Sequence, residues 1–107
     1  MPEKQITALS SIYLKSYSVN KEVLVAACDS ELIGRTFCEG ELHLHVNEDF
    51  FKGQPADEYE VKKALKEATI ANLVGKRSVT CGIDSGVVDE NCVIMIGGVP
   101  HAQMVVF

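Results

Sequence analysis

No tryptophan occurs in the chain, and the aromatic share is only 7%. Any stacking platform must therefore come from Tyr13, Tyr17, Phe37, Phe50, Phe51, Tyr59 or Phe107. Positive charge is also scarce: 10 Lys and Arg stand against 15 Asp and Glu, a net charge of -5. That balance argues against tight, non-specific nucleic-acid binding, which needs many Lys and Arg contacts to phosphate. A local basic patch stays open. No apolar run approaches the roughly 20 residues of a membrane span. The opening Met1-Pro2-Glu3-Lys4-Gln5 is polar and carries no long apolar signal core. The expected location is cytoplasmic, without membrane contact.

The cysteines Cys28, Cys38, Cys81 and Cys92 include no C-x-x-C pair, so the usual zinc and redox spacing is missing. They are expected as free thiols used as small core residues, without a disulfide framework. No cofactor and no metal is expected.

What is present suits one small domain. The 107 residues are 47% hydrophobic and 23% charged, and a chain of this size buries roughly two-thirds of its unfolded surface. Residues 1–11 read as an N-terminal extension and residues 12–107 as a single domain. Ile12 to Tyr17 and Glu22 to Cys28 read as strands joined by a tight turn at Asn20, a residue tolerant of positive φ. The second strand is apolar on both faces, which suits a central position. Asp29 to Gly34 reads as one helical turn capped by Asp29 or Ser30. Glu41 to Val46 alternates, with Leu42, Leu44 and Val46 inward and Glu41, His43 and His45 outward. Asn47 to Ala56 reads as a loop.

A long helix is expected from about Glu58 to Leu73. Asp57 and Glu60 form a capping box, Val61, Ala64, Leu65, Ala68 and Ala71 make the apolar stripe, and Gly75 is the stop. A shorter helix follows from Lys76 to Ser85, stopped at Gly86. Cys92 to Ile96 and Ala102 to Phe107 are the last strands, around a Gly97 to His101 loop. The fold class is α+β: a mostly antiparallel sheet covered by one long and one or two short helices.

Gly75-Lys76-Arg77-Ser78 does not satisfy a phosphate loop, because position 70 is Ile and Arg77 separates Lys76 from Ser78. The helix start with Lys76 and Arg77 is left as an anion-binding candidate, or as a plain exposed basic turn. Lys62, Lys63 and Lys66 form a basic strip, interleaved with Glu58, Glu60 and Glu67. His43 and His45 on one strand face suit two zinc ligands, with His101 or Glu41 as a third, or an ordinary solvated face. Gly97-Gly98-Val99-Pro100-His101-Ala102-Gln103 is the strongest candidate site. Its glycines allow N–H groups to converge on an anion, His101 can donate or accept a proton, and Gln103 adds an amide. The plain alternative is a hairpin loop. A Cys81 or Cys92 thiol beside His101 would be a nucleophile.

Glu67-Ala68-Thr69-Ile70-Ala71-Asn72-Leu73-Val74-Gly75, the Gly97 to Gln103 segment and Glu22 to Asp29 together resemble a family of small archaeal proteins, domain of unknown function 424. The resemblance implies an archaeal, cytoplasmic protein and brings no activity or cofactor. It points toward a role linked to translation. Within it, Asn72 is a candidate support for the Gly97 to Gln103 loop.

The leading expectation is a non-enzymatic binding module for a protein or structured RNA. Lys76, Arg77, Gly97, Gly98, His101 and Gln103 would be its contacts. The alternative is a small enzyme or ligand carrier, with the loop as oxyanion cradle and His101 as acid or base. Apolar residues Met104 to Phe107 allow a homodimer through strand pairing.

Overall fold

Asn20, at φ 57°, turns the chain between two antiparallel strands, β1 (Ile12–Val19) and β2 (Glu22–Asp29). The computed structural model describes residues 11–106, so most of the expected N-terminal extension lies outside the described residues. After a 3-10 turn at Ser30–Leu32 come β3 (Thr36–Glu39), β4 (Leu42–His45), α1 (Glu48–Phe51), β5 (Gln54–Ala56) and α2 (Glu58–Lys66). Then follow β6 (Ile70–Val74), α3 (Lys76–Asp84), a 3-10 turn at Glu90–Cys92, β7 (Ile94–Ile96) and β8 (Val99–Val105). The order in the main sheet is β5-β1-β2-β6-β8-β7, and β3 pairs with β4 in a separate hairpin. Among the described residues, β2 and β6 run parallel and the other pairings are antiparallel. This is an α+β fold: α2 and α3 cover one face of a mostly antiparallel sheet, and the short α1 packs on the other.

Two apolar clusters lie on opposite faces. On the first face, α2 and α3 bury Val61, Leu65, Val79 and Cys81 against Ile12, Val25, Ala27, Ala71, Leu73 and Ala102. On the second, Phe51, Val46 and Leu32 cover Ala26, Cys28, Val74 and Val99. Alternation along the strands sends neighbouring side chains to opposite faces, so β2 and β6 feed both clusters. That is why the Val23 to Cys28 run is apolar throughout.

The long helix ends early. The capping box is present, with Asp57 accepting from the Glu60 N–H and Glu60 accepting from the Asp57 N–H. The helix stops at Lys66, however, and Ile70–Val74 is a central strand between β2 and β8. Ala68 and Ala71 continue a helical stripe, but Ile70 and Val74 are β-branched and fit a sheet buried on both faces. Tertiary pairing outweighs local helix preference. Gly75 consequently opens α3 instead of closing α2.

Three further expectations are corrected. Asn47 to Ala56 is not wholly loop: Asn47 caps α1 by accepting from the Phe50 N–H, and Gln54–Ala56 pairs with β1. Leu42 is 51% exposed, because it adjoins the β3–β4 turn. The Gly97 to His101 loop is two residues long. Gly97 and Gly98 have φ 58° and 83° and join β7 to β8, with Ile96 opposite Val99. Positive φ at both central positions is the twist a two-residue hairpin needs. His101 therefore lies within β8. None of the described helices is long and apolar enough to cross a membrane.

Candidate functional site

The α3 start is closed by the protein itself. Asp29, buried at the end of β2, accepts from the Arg77 N–H at 3.0 Å and from the Ser78 N–H and hydroxyl, each at 2.9 Å. Gly75 adopts φ 105° and ψ 158°, a region nearly confined to glycine. A Cβ there would lie 2.4 Å from the Asp29 carboxyl carbon. The anion expected at Lys76-Arg77 is thus an internal carboxylate, and the helix dipole is already complemented. Asp29 does not cap its own 3-10 turn.

Arg77 is similarly engaged. Its guanidinium donates to Glu31 at 2.6 Å and to the Ser11 carbonyl at 3.1 Å. Burial pulls its pKa down, but the Glu31 hydrogen bond and the charges of Asp29, Glu31 and Glu58 outweigh it and hold the group above its ordinary value. Lys76 stays exposed. In the lysine strip, Lys62 faces Asp84 at 3.6 Å.

The Gly97 N–H is also spoken for. It donates to Glu39 of the β3–β4 hairpin at 2.8 Å, and the Cys38 backbone crowds the turn at the same place. The expected convergence of glycine N–H groups on a ligand gives way to a turn held by a carboxylate. The α3 start and the head of β8 do meet, through the Gly75 N–H donating to the Pro100 carbonyl at 2.9 Å.

Asn72, His101 and Gln103 share the second sheet face. Asn72 stands opposite Gln103, and Val74 opposite His101. The Asn72 amide oxygen lies 3.0 Å from His101 Nε2. In the tautomer this pairing favours, Nε2–H donates and Nδ1 remains an acceptor. Burial lowers the His101 pKa, so the ring is neutral near neutral pH. Ile70 and Val105 face each other farther along this strip, and Val105 is 52% exposed. Burial on β6 eases from Val74, fully enclosed, to Ile70, half-buried. Ile70 also lines a groove of about 350 Å³ with Tyr17, Val19, Leu24 and Phe50. Phe50 of α1 and the β1–β2 hairpin residues Asn20 and Glu22 complete its lining. The sequence points to Asn72, His101 and Gln103, and to Val105 only within an apolar end suited to strand pairing; Ile70 and this groove emerge only once β6 is a strand.

The other thiol and imidazole candidates separate. Cys81 packs in the helical cluster, across the sheet from His101. Cys38 and Cys92 are exposed, unlike the core thiols expected. His45 Nδ1 is hydrogen-bonded to the Thr36 hydroxyl at 2.8 Å, and His43 Nδ1 to the Cys38 Sγ at 3.2 Å. Among the described residues, no three His, Cys, Asp or Glu side chains are grouped to hold a metal ion. The His43-His45-His101 set is therefore not assembled.

A family model described as "Protein of unknown function (DUF424)" matches residues 17–107. Among solved structures, the chain is similar to an uncharacterized conserved protein from the archaeon Methanopyrus kandleri. The TM-score is 0.73 and the sequence identity 25%, over 88% of this chain and 90% of that one. A search of curated proteins finds no match.

Proposed function

The chain belongs to the DUF424 family of proteins of unknown function, and from that premise we propose that it is a non-enzymatic binding module for a protein partner. The observation that carries this reading is the half-covered strip of β6 and β8. There the Asn72–His101 pair and exposed Gln103 adjoin exposed Val105 and the groove at Ile70. Apolar residues flanked by a few fixed polar groups are what a protein segment can desolvate and register against. The groove takes an apolar side chain, and Gln103 offers an amide to main chain.

A protein is favoured over RNA by charge. The net charge is -5, Arg77 is bound to Glu31, and Lys15 donates to the Asp49 carbonyl. The acid–base alternative at His101 loses its oxyanion cradle, because Glu39 takes the Gly97 N–H. The reading includes a cytoplasmic location, in keeping with four cysteines held as free thiols, and a partner in translation.

The test is affinity capture from the native host, with and without RNase, using the natural chain and a Gln103→Arg/Val105→Glu variant of unchanged circular dichroism. Protein partners that survive RNase and are lost with the variant support the reading. Capture abolished by RNase would replace it with RNA binding, and capture indifferent to the variant would overturn the site.

A further inference from the structure

The β3–β4 hairpin carries chemistry that the binding strip does not use. Its register sets Thr36 opposite His45 and Cys38 opposite His43. All four side chains lie on one face and are exposed, while Phe37 and Leu44 turn the other way, into the second apolar cluster. The Cys38 Sγ lies 3.2 Å from His43 Nδ1, within hydrogen-bond reach. A thiol aligned on an accessible imidazole is the arrangement of an activated sulfur nucleophile. The turn is anchored from behind, since Glu39 on the opposite face accepts from the Gly97 N–H and the Arg35 guanidinium lies 5.0 Å from the Phe37 ring. Side chains at directly opposed strand positions are held close, so the pair does not depend on a mobile loop.

The remaining cysteines provide the contrast within one molecule. Cys28 and Cys81 are buried. Burial first, then the charges of Asp29 and Glu31, pushes the Cys28 thiol up to about 12. Burial first, then the charge of Glu58, pushes Cys81 up to about 11. Both stay protonated and enclosed, and are inert. Cys92 is exposed like Cys38, but sits in a 3-10 turn, outside the hairpin ladder.

We propose that Cys38, with His43 as its base, is the reactive thiol of this protein and a site of mixed-disulfide formation with small-molecule disulfides. In the exchange, His43 Nδ1 takes the thiol proton as the Cys38 sulfur attacks one sulfur of the incoming disulfide. The incoming S–S bond breaks, the Cys38 S–S bond forms, and the other half leaves as a thiolate that takes up a proton. The incoming disulfide is the oxidant, and attack by a small thiol reverses the step.

The test uses the folded full chain and dithiodipyridine, a neutral aromatic disulfide, with peptide mass spectrometry to follow each cysteine. Cys38 is expected to react first, ahead of Cys92, with Cys28 and Cys81 silent until the chain unfolds. His43→Ala is expected to slow Cys38 roughly tenfold, short of the gain from a base in an enclosed active site, while Cys92 keeps its rate. His45→Ala, which removes the imidazole bound to Thr36, is expected to leave Cys38 unchanged. Cys92 reacting as fast as Cys38, no effect of His43→Ala, or equal slowing by His45→Ala would each overturn the assignment.

Discussion

Asp29 Oδ1 receives both the main-chain N–H and the hydroxyl of Ser78, each at 2.9 Å, across 49 positions of sequence. One carboxylate at the end of β2 thereby completes the start of α3, and the helix is fixed to the centre of the sheet. Asp29→Ala would leave these donors buried and unpaired. The expected loss is about 3 kcal/mol or more, read from the urea midpoint. A loss below about 1 kcal/mol would mean that water replaces the carboxylate without difficulty.

Gly75→Ala tests the same junction from the helix side. The new methyl group would meet the Asp29 carboxylate on a backbone that alanine rarely adopts. A stability loss of about 2 kcal/mol or more is expected, again by urea unfolding. A near-neutral result would contradict the close approach.

Arg77 is assigned to folding, not to partner contact. Its ion pair with Glu31 is partly exposed, at 30% and 34% for the two side chains, so solvent screening limits its worth. Arg77→Ala is expected to cost about 1 kcal/mol of stability, and Lys76→Ala within about 0.5 kcal/mol of none. Partner capture by Arg77→Ala is expected to persist at temperatures where the variant is folded. Lost capture with intact folding would return Arg77 to the contact surface.

His101 gives the protein a distinct pH response. Its folded pKa lies below the ordinary 6.5 because of burial. The unfolded chain therefore binds the proton at higher pH than the folded chain. The contribution of neutral His101 is complete above 6.5 and is lost as pH falls through the folded value. Between about pH 7 and about pH 5, the natural chain is expected to lose more unfolding free energy than His101→Gln. Parallel losses would contradict the burial argument.

The parts legible in sequence are those decided by neighbours along the chain. Asn20 marks the first turn, Asp57 and Glu60 mark the start of α2, and Gly86, at φ 82°, follows the end of α3. The parts that stayed hidden depend on distant pairing. Ala71 fits a helix as well as a sheet until β2 and β8 flank it. Asp29 looks like a local cap, and only the parallel β2–β6 pairing carries it to Ser78. Likewise the sequence marks Asn72 as support for the Gly97 to Gln103 segment, but which residue it holds, His101, follows only once both lie on neighbouring strands. The Cys38–His43 pair could have been found from the alternation running through Glu39-Gly40-Glu41 into Leu42, had Thr36 to Glu39 been read as the partner strand.

The most direct measurement places a photo-crosslinking residue at Gln103 and, in a second protein, at Lys63, an exposed position on α2 across the sheet. Both are irradiated in RNase-treated host lysate. A discrete protein adduct from position 103, competed by excess natural chain and missing from position 63, is the result predicted. Adducts from position 63 alone, or equally from both, would contradict the β6–β8 strip as the binding surface.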